Sequence, residues 1–256
     1  MKAELIKILL IEDNPGDARI IQEMLKETEN IQFNVKHASR LDDGLKYVLM
    51  ESFDIVLLDL CLPDSKGIDT FNIMIYNAPD LPIIVITGLK DDIFAVNAVR
   101  RGAQDYLVKG EVNSNILVNS IKYAIERKRI EKELDQLAKR YHLAQKAGGI
   151  GTFDWNIQKD EILWTEELEK IYGLPEQGFG GKYENWIQLL YPEDRERVDE
   201  EIKKSIKDHT DWNDFFRIIW PDKSIHWIKA QAMTLYNDKN QPLRMIGVNY
   251  DVTDMI

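Results

Sequence analysis

Cysteine is almost missing: the 256 residues hold one, Cys61. A single thiol excludes an internal disulfide framework and a cysteine-rich zinc site, and it fits a reducing, cytoplasmic compartment. Long apolar runs are missing too. None approaches the roughly 20 residues of a membrane span, and the N-terminus lacks a signal-peptide shape. Nothing repeats and nothing is low-complexity. Positive charge is in deficit: 33 Lys and Arg against 44 Asp and Glu leave a formal net charge of −11. That balance argues against a nucleic-acid surface as the main business of the chain. No Ser-His-acid pattern of a hydrolase is visible. The "GGIG" of residues 148–151 lacks the strand-to-helix turn that a dinucleotide fingerprint needs.

What is present is an ordinary globular composition, 44% hydrophobic and 30% charged, in a chain long enough for two domains. The first half alternates strand and helix patterns. Apolar runs at 5–11, 54–58 and 82–87 read as buried strands, and "IQFNVKHA" and "DYLVK" as two more. Between them, apolar residues fall at helical spacing: Ala18, Ile21, Met24 and Leu25, then Leu41, Leu45, Val48 and Leu49, then stretches near 68–75 and 92–101. Strands that alternate with helices imply a parallel sheet covered on both faces. Five such units predict a flavodoxin-like, doubly wound α/β fold with strand order 2-1-3-4-5. A long helix from about 113 to 147 follows, in which Ile130, Leu134, Leu137, Tyr141 and Ala144 step by four and three. This is a short heptad seam and predicts a coiled-coil-like linker that pairs two copies. Beyond Gly148-Gly149 the pattern becomes short, aromatic-rich and alternating, with helices at 166–172 and 193–207 and hairpin-turn composition at "WPDKS" and "YNDKNQP". That predicts an α+β domain on an antiparallel sheet.

The chemistry collects in the first half. In an open parallel sheet, functional groups gather beyond the carboxyl ends of the strands. Those ends carry Glu12 and Asp13, then Asp59, Thr87 and Lys109. With strands one and three adjacent, three carboxylates share one basin, where two unit charges about 4 Å apart repel by about 4 kcal/mol at an effective dielectric of 20. Their pKa values rise or a cation joins them. Mg²⁺ suits such a site, because it takes a few carboxylates and keeps waters and phosphate oxygens. An aspartate beside it can attack phosphorus, and Lys109 and Thr87 supply charge and a donor for phosphoryl oxygens.

The segments "LLIEDNPGD", "DIVLLDLCLPDSKGID", "PIIVITG" and "GAQDYLVKG" together resemble the response-regulator receiver domain of two-component signalling. The resemblance implies a phosphoprotein of a phosphorelay, in which Asp59 accepts a phosphoryl group from a phosphohistidine donor. Glu12, Asp13, Asp59 and the backbone carbonyl of Cys61 would organise Mg²⁺. Thr87 and Lys109 would bind the phosphoryl group, and Tyr106 occupies the aromatic switch position. One departure stands out: Gly110 stands where the family carries a proline after the lysine, which puts the aim of Lys109 in question.

Residues 148–256, through "GIGTFDWNIQKDEILWTEELEKIYG", "LLYPEDRERV", "FFRIIWPDKSIHWIKAQA" and "GVNYDVTD", resemble a PAS domain with its PAC segment. Flavin-adduct sensors of that family need a cysteine in the domain, and none follows Cys61. A haem would need His209 or His226 as axial ligand, and both read as surface or packed side chains. No PAS cofactor is therefore expected. His142 lacks the surroundings of a kinase phosphoacceptor.

The expected organisation is a receiver at 1–125, a helical linker at 126–147 and a PAS/PAC domain at 148–256. The expected protein is a cytoplasmic, non-enzymatic phosphoacceptor and homodimer. It is served by a histidine kinase or phosphotransfer protein, binds no nucleic acid and has no membrane segment. Two alternatives stay open: the front of a longer hybrid sensor histidine kinase, and a binding scaffold with a non-cycling receiver.

Overall fold

Every residue of the strand Ile55–Asp59 is buried, and the reason is two-sided cover. Successive side chains of a strand point to opposite faces, so a strand with helices on both sides must be apolar throughout. The computed structural model describes residues 4–28, 31–88 and 92–255. Residues 1–3 and 256, at the outer limits of the two expected domains, lie outside the described residues. Five strands, β1 (Glu4–Ile11), β2 (Ile31–Ala38), β3 (Ile55–Asp59), β4 (Ile83–Thr87) and β5 (Asp105–Val108), form one parallel sheet in the order β2-β1-β3-β4-β5. The helices between them are α1 (Pro15–Lys26), α2 (Leu41–Met50), α3 (Ile68–Asn77) and α4 (Asp92–Arg100). Leu9, Ile11, Val56, Leu58 and Val85 pack with Phe71 and Met74 on one face. Ile8, Leu10, Ile55, Leu57, Ile84 and Ile86 pack with Ile21, Leu25, Leu117 and Ile121 on the other.

The loops after the strands are shaped by local chemistry. Asn14 caps α1, its side chain accepting from the backbone of Gly16 and Asp17, with Pro15 at the first helical position. Asp64, which reads as a turn residue in the sequence, accepts from the backbone N–H groups of Leu41 and Asp42 at 3.1 and 3.0 Å. It therefore caps α2 from across the fold.

Helix α5 (Ser114–Gly148) is continuous over 35 residues, and two compact units, 1–136 and 137–256, divide within it. Ile130, Leu134, Leu137 and Tyr141 are all exposed along it. The second unit is an antiparallel sheet in the order β7-β6-β10-β9-β8. Its strands are β6 (Ile150–Asn156), β7 (Glu161–Trp164), β8 (Trp212–Ile219), β9 (Ile225–Tyr236) and β10 (Pro242–Asp251). Helices α6 (Glu166–Ile171), α7 (Tyr183–Leu189) and α8 (Arg195–Asp208) accompany it. Their core joins Leu168, Tyr172, Trp186, Val198, Phe216 and Ile228. The two expected helices are found within a residue or two, and the alternating stretches form the expected antiparallel sheet. Helix α7 is an addition. Only Trp186 of its seven residues is buried, too little for an apolar period to register.

Candidate functional site

Register brings the four strand ends together. Ile11 pairs with Leu58, Asp59 with Ile86, and Thr87 with Val108, so Glu12, Asp59, Thr87 and Lys109 stand side by side beyond the sheet. Glu12, Asp59 and Thr87 are buried, while Asp13 is exposed. Carboxylate oxygens of Glu12, Asp13 and Asp59 all lie within 4.8 Å of one another. The Lys109 ammonium joins two of them. Its Nζ is 2.7 Å from Asp59 Oδ2 and 2.7 Å from Glu12 Oε2. The other Asp59 oxygen accepts from the Cys61 backbone N–H at 3.0 Å, which fixes the carboxylate in its plane. The Asn14 N–H donates to Glu12 Oε1 at 3.1 Å.

Gly110 does not divert the lysine. No cis peptide occurs among the described residues, and Gly110 takes φ 88°, a backbone state that glycine enters without a Cβ penalty. The Lys109 N–H donates to Thr87 O at 2.7 Å. That bond extends the β4–β5 register by one residue and aims the side chain at Asp59. The Thr87 hydroxyl is buried and has no hydrogen-bond partner among the described residues. Tyr106 lies opposite Val85 on the edge strand and is exposed.

The electrostatics follow from burial. Burial pushes the Glu12 carboxyl up to about 7, outweighing the Lys109 hydrogen bond, and the Asp59 charge adds to the rise. Burial works against the charge of Lys109, but the hydrogen bonds to Asp59 and Glu12 outweigh it and hold the ammonium above its ordinary pKa. A carboxyl raised above its unfolded value of 4.5 contributes stability that is complete below that value and is lost as pH rises through about 7. In metal-free buffer, β1 and β3 are therefore expected to lose protection against hydrogen exchange between pH 5 and pH 8, relative to Glu12→Gln. An identical pH slope in wild type and variant contradicts this.

One charged neighbour went unread in the sequence. Asp17, in the first turn of α1, brings Oδ2 to 3.1 Å from Lys109 Nζ. The sequence offers only an acid near a helix start, which reads as capping. In the second unit, Ser224, His226 and Asp251 form a hydrogen-bonded row, with His226 Nε2 3.0 Å from Ser224 Oγ and Nδ1 2.9 Å from Asp251 Oδ2. The sequence does not display this row, because Asp251 comes from the neighbouring strand β10. Ser224 Oγ donates to Asp222 Oδ1 at 2.6 Å within the β8–β9 turn, so its proton is directed away from the imidazole. An aromatic cavity of about 20 Å³ lies inside this unit, lined by Trp155, Trp164, Trp186, Trp212 and Asn249 among others. That is room for about one water. His209 stacks on Tyr236 and His226 on Trp220, and neither lines the cavity.

Residues 8–122 match the family model of the response regulator receiver domain. Residues 161–249 match that of the PAS fold. The chain is a receiver domain followed by a PAS domain. A receiver domain places the chain in two-component signalling. Among curated relatives, the probable diguanylate cyclase DgcE of Escherichia coli (strain K12) is 30% identical over 130 residues, covering 51% of this chain and 12% of that protein. The cell cycle transcriptional regulator CtrA of Caulobacter vibrioides is 33% identical over 104 residues, covering 41% of this chain and 44% of that one. A solved receiver domain protein from Clostridium thermocellum is 30% identical, covers 49% of this chain and 98% of its own, and superposes with a TM-score of 0.44. The chain thus spans less than half the length of these curated relatives. No helix among the described residues is long and apolar enough to cross a membrane.

Proposed function

We propose that Asp59 of the receiver accepts a phosphoryl group from a histidine kinase or phosphotransfer protein. One observation carries this reading: a buried aspartate at a strand end, with Lys109 Nζ at 2.7 Å and with carboxylate oxygens of Glu12 and Asp13 within 4.8 Å. The donor set is all oxygen and suits a hard cation, so Glu12, Asp13, Asp59 and the Cys61 carbonyl are the residues that would hold Mg²⁺. When bound, Mg²⁺ offsets the charge of the phosphoryl oxygens. Lys109 donates to the same oxygens. The Thr87 hydroxyl, without a hydrogen-bond partner among the described residues, gains an acceptor when the phosphoryl group arrives. Tyr106, exposed on the neighbouring strand β5, then turns, and this is the switch.

On the same reading the functional division is 1–125, 126–147 and 148–256. The exposed seam of Ile130, Leu134, Leu137 and Tyr141 supports a homodimer, and α5 relays the receiver state to the PAS domain. The chain acts in the cytoplasm as a phosphoacceptor whose only chemistry is its own phosphorylation and dephosphorylation, without nucleic acid. The greater length of its relatives supports a second reading, in which this receiver–PAS unit serves within a longer sensor protein, such as a hybrid histidine kinase.

Incubation with acetyl phosphate and Mg²⁺ tests the acceptor. Intact mass is expected to rise by one phosphoryl group in wild type and not at all in Asp59→Asn. The same rise in the variant, or none in wild type, overturns the reading.

A further inference from the structure

An ammonium has three N–H donors, and three carboxylates surround that of Lys109. Asp59 and Glu12 each approach it to 2.7 Å, and Asp17 to 3.1 Å. The first two are buried, whereas the Asp17 side chain keeps 32% of its surface in solvent. Asp17 lies outside the Glu12, Asp13 and Asp59 cluster. A first-turn acid is ordinary at the positive end of a helix. An ion pair from that position to the lysine of another strand end is a separate feature.

We propose that Asp17 is a positioning residue that holds Lys109 at rest and yields it to the phosphoryl group, so that its charge brakes phosphorylation of Asp59. This rests on the acceptor reading above. In the step itself an Asp59 carboxylate oxygen attacks phosphorus and the new O–P bond forms. The P–O bond to the acetyl group breaks, and acetate leaves with the electron pair; no proton needs to move. The arriving group brings its own anionic oxygens. Lys109, hydrogen-bonded to Glu12 and Asp59 and ion-paired with Asp17, must turn toward one of the arriving oxygens and loosen its hold on a carboxylate. Glu12 is buried and held by the Asn14 N–H. Asp17 makes the longest and wettest of the three contacts, so water compensates its release most readily. Until then its negative charge opposes an anionic donor at the site entrance.

The test compares two phosphodonors of different charge, dianionic acetyl phosphate and phosphoramidate, which carries one charge fewer, with Mg²⁺ and the full chain at low salt. Asp17→Asn is expected to raise the phosphorylation rate about fivefold with acetyl phosphate and about twofold with phosphoramidate, as removal of one unit charge predicts. Half-molar salt is expected to remove most of the gain in both. Asp17→Ser, which keeps a residue suited to a helix start, should behave alike and guards against a folding effect. A rate that is unchanged or lower in both variants overturns the proposal. So does an equal gain with both donors, since a purely structural change would not sense donor charge. Wild type run alongside separates the two readings: if it takes up no phosphoryl group, the acceptor reading falls first.

Discussion

Lys109→Met is expected to slow phosphorylation of Asp59 by about 100- to 1000-fold, the usual effect of removing one preorganised positive donor from a charge-developing centre. Methionine keeps the length and the apolar stem, so little packing is lost. What goes is the only cation within 4 Å of both Glu12 and Asp59 among the described residues. Two buried carboxylates are then left without a positive partner, and breaking a buried pair from one side costs about 3–5 kcal/mol. The variant should therefore also melt earlier in metal-free buffer, and millimolar Mg²⁺ should restore part of that loss by supplying the missing charge. Time-resolved intact mass with acetyl phosphate reads the first effect and thermal melting the second. A rate within twofold of wild type would mean that Lys109 serves the resting site and not the transfer.

Tyr172→Phe should destabilise the PAS domain by about 2–4 kcal/mol, because two buried donors lose their acceptor together. The Tyr172 hydroxyl accepts from Trp186 Nε1 and from Asn249 Nδ2, each at 2.9 Å. All three residues are buried, and burial holds the phenol firmly neutral. The ring remains in the variant, so the loss isolates the hydrogen bonds. The Asn249 amide oxygen beside the cavity has no hydrogen-bond partner among the described residues, and the substitution would take the partner of its amide nitrogen as well. All six tryptophans lie between 155 and 227, so fluorescence-monitored urea unfolding reports this domain alone. A midpoint equal to that of wild type would show that water replaces the hydroxyl at no net loss.

Helix and strand identities were legible because they rest on local periods. The apolar run Ile55–Leu58 closed by Asp59 announces a buried strand that ends on a carboxylate. The seam residues of α5 announce a long helix. Gly110 shows the limit of pattern matching. Its departure from the family pattern raised doubt about Lys109, yet the bond from Lys109 N–H to Thr87 O keeps the strand in register through that point. Helix α7 escaped notice because a short helix with one buried residue has no measurable period. Its place is set by Trp186 reaching Tyr172.

Composition and periodicity alone determined the alternating α/β half, the long charged helix, the aromatic antiparallel domain, and the set of acids with one lysine at the strand ends. Such features depend on neighbours a few residues apart, and the chain order encodes them directly. Only the tertiary structure decided that Asp17 shares Lys109 with Glu12 and Asp59, that one tyrosine hydroxyl ties Trp186 to Asn249, and that Ser224 turns its proton toward Asp222. The first two join residues far apart in the chain and the third is set by one side-chain rotamer, and neither has a period that a sequence can display.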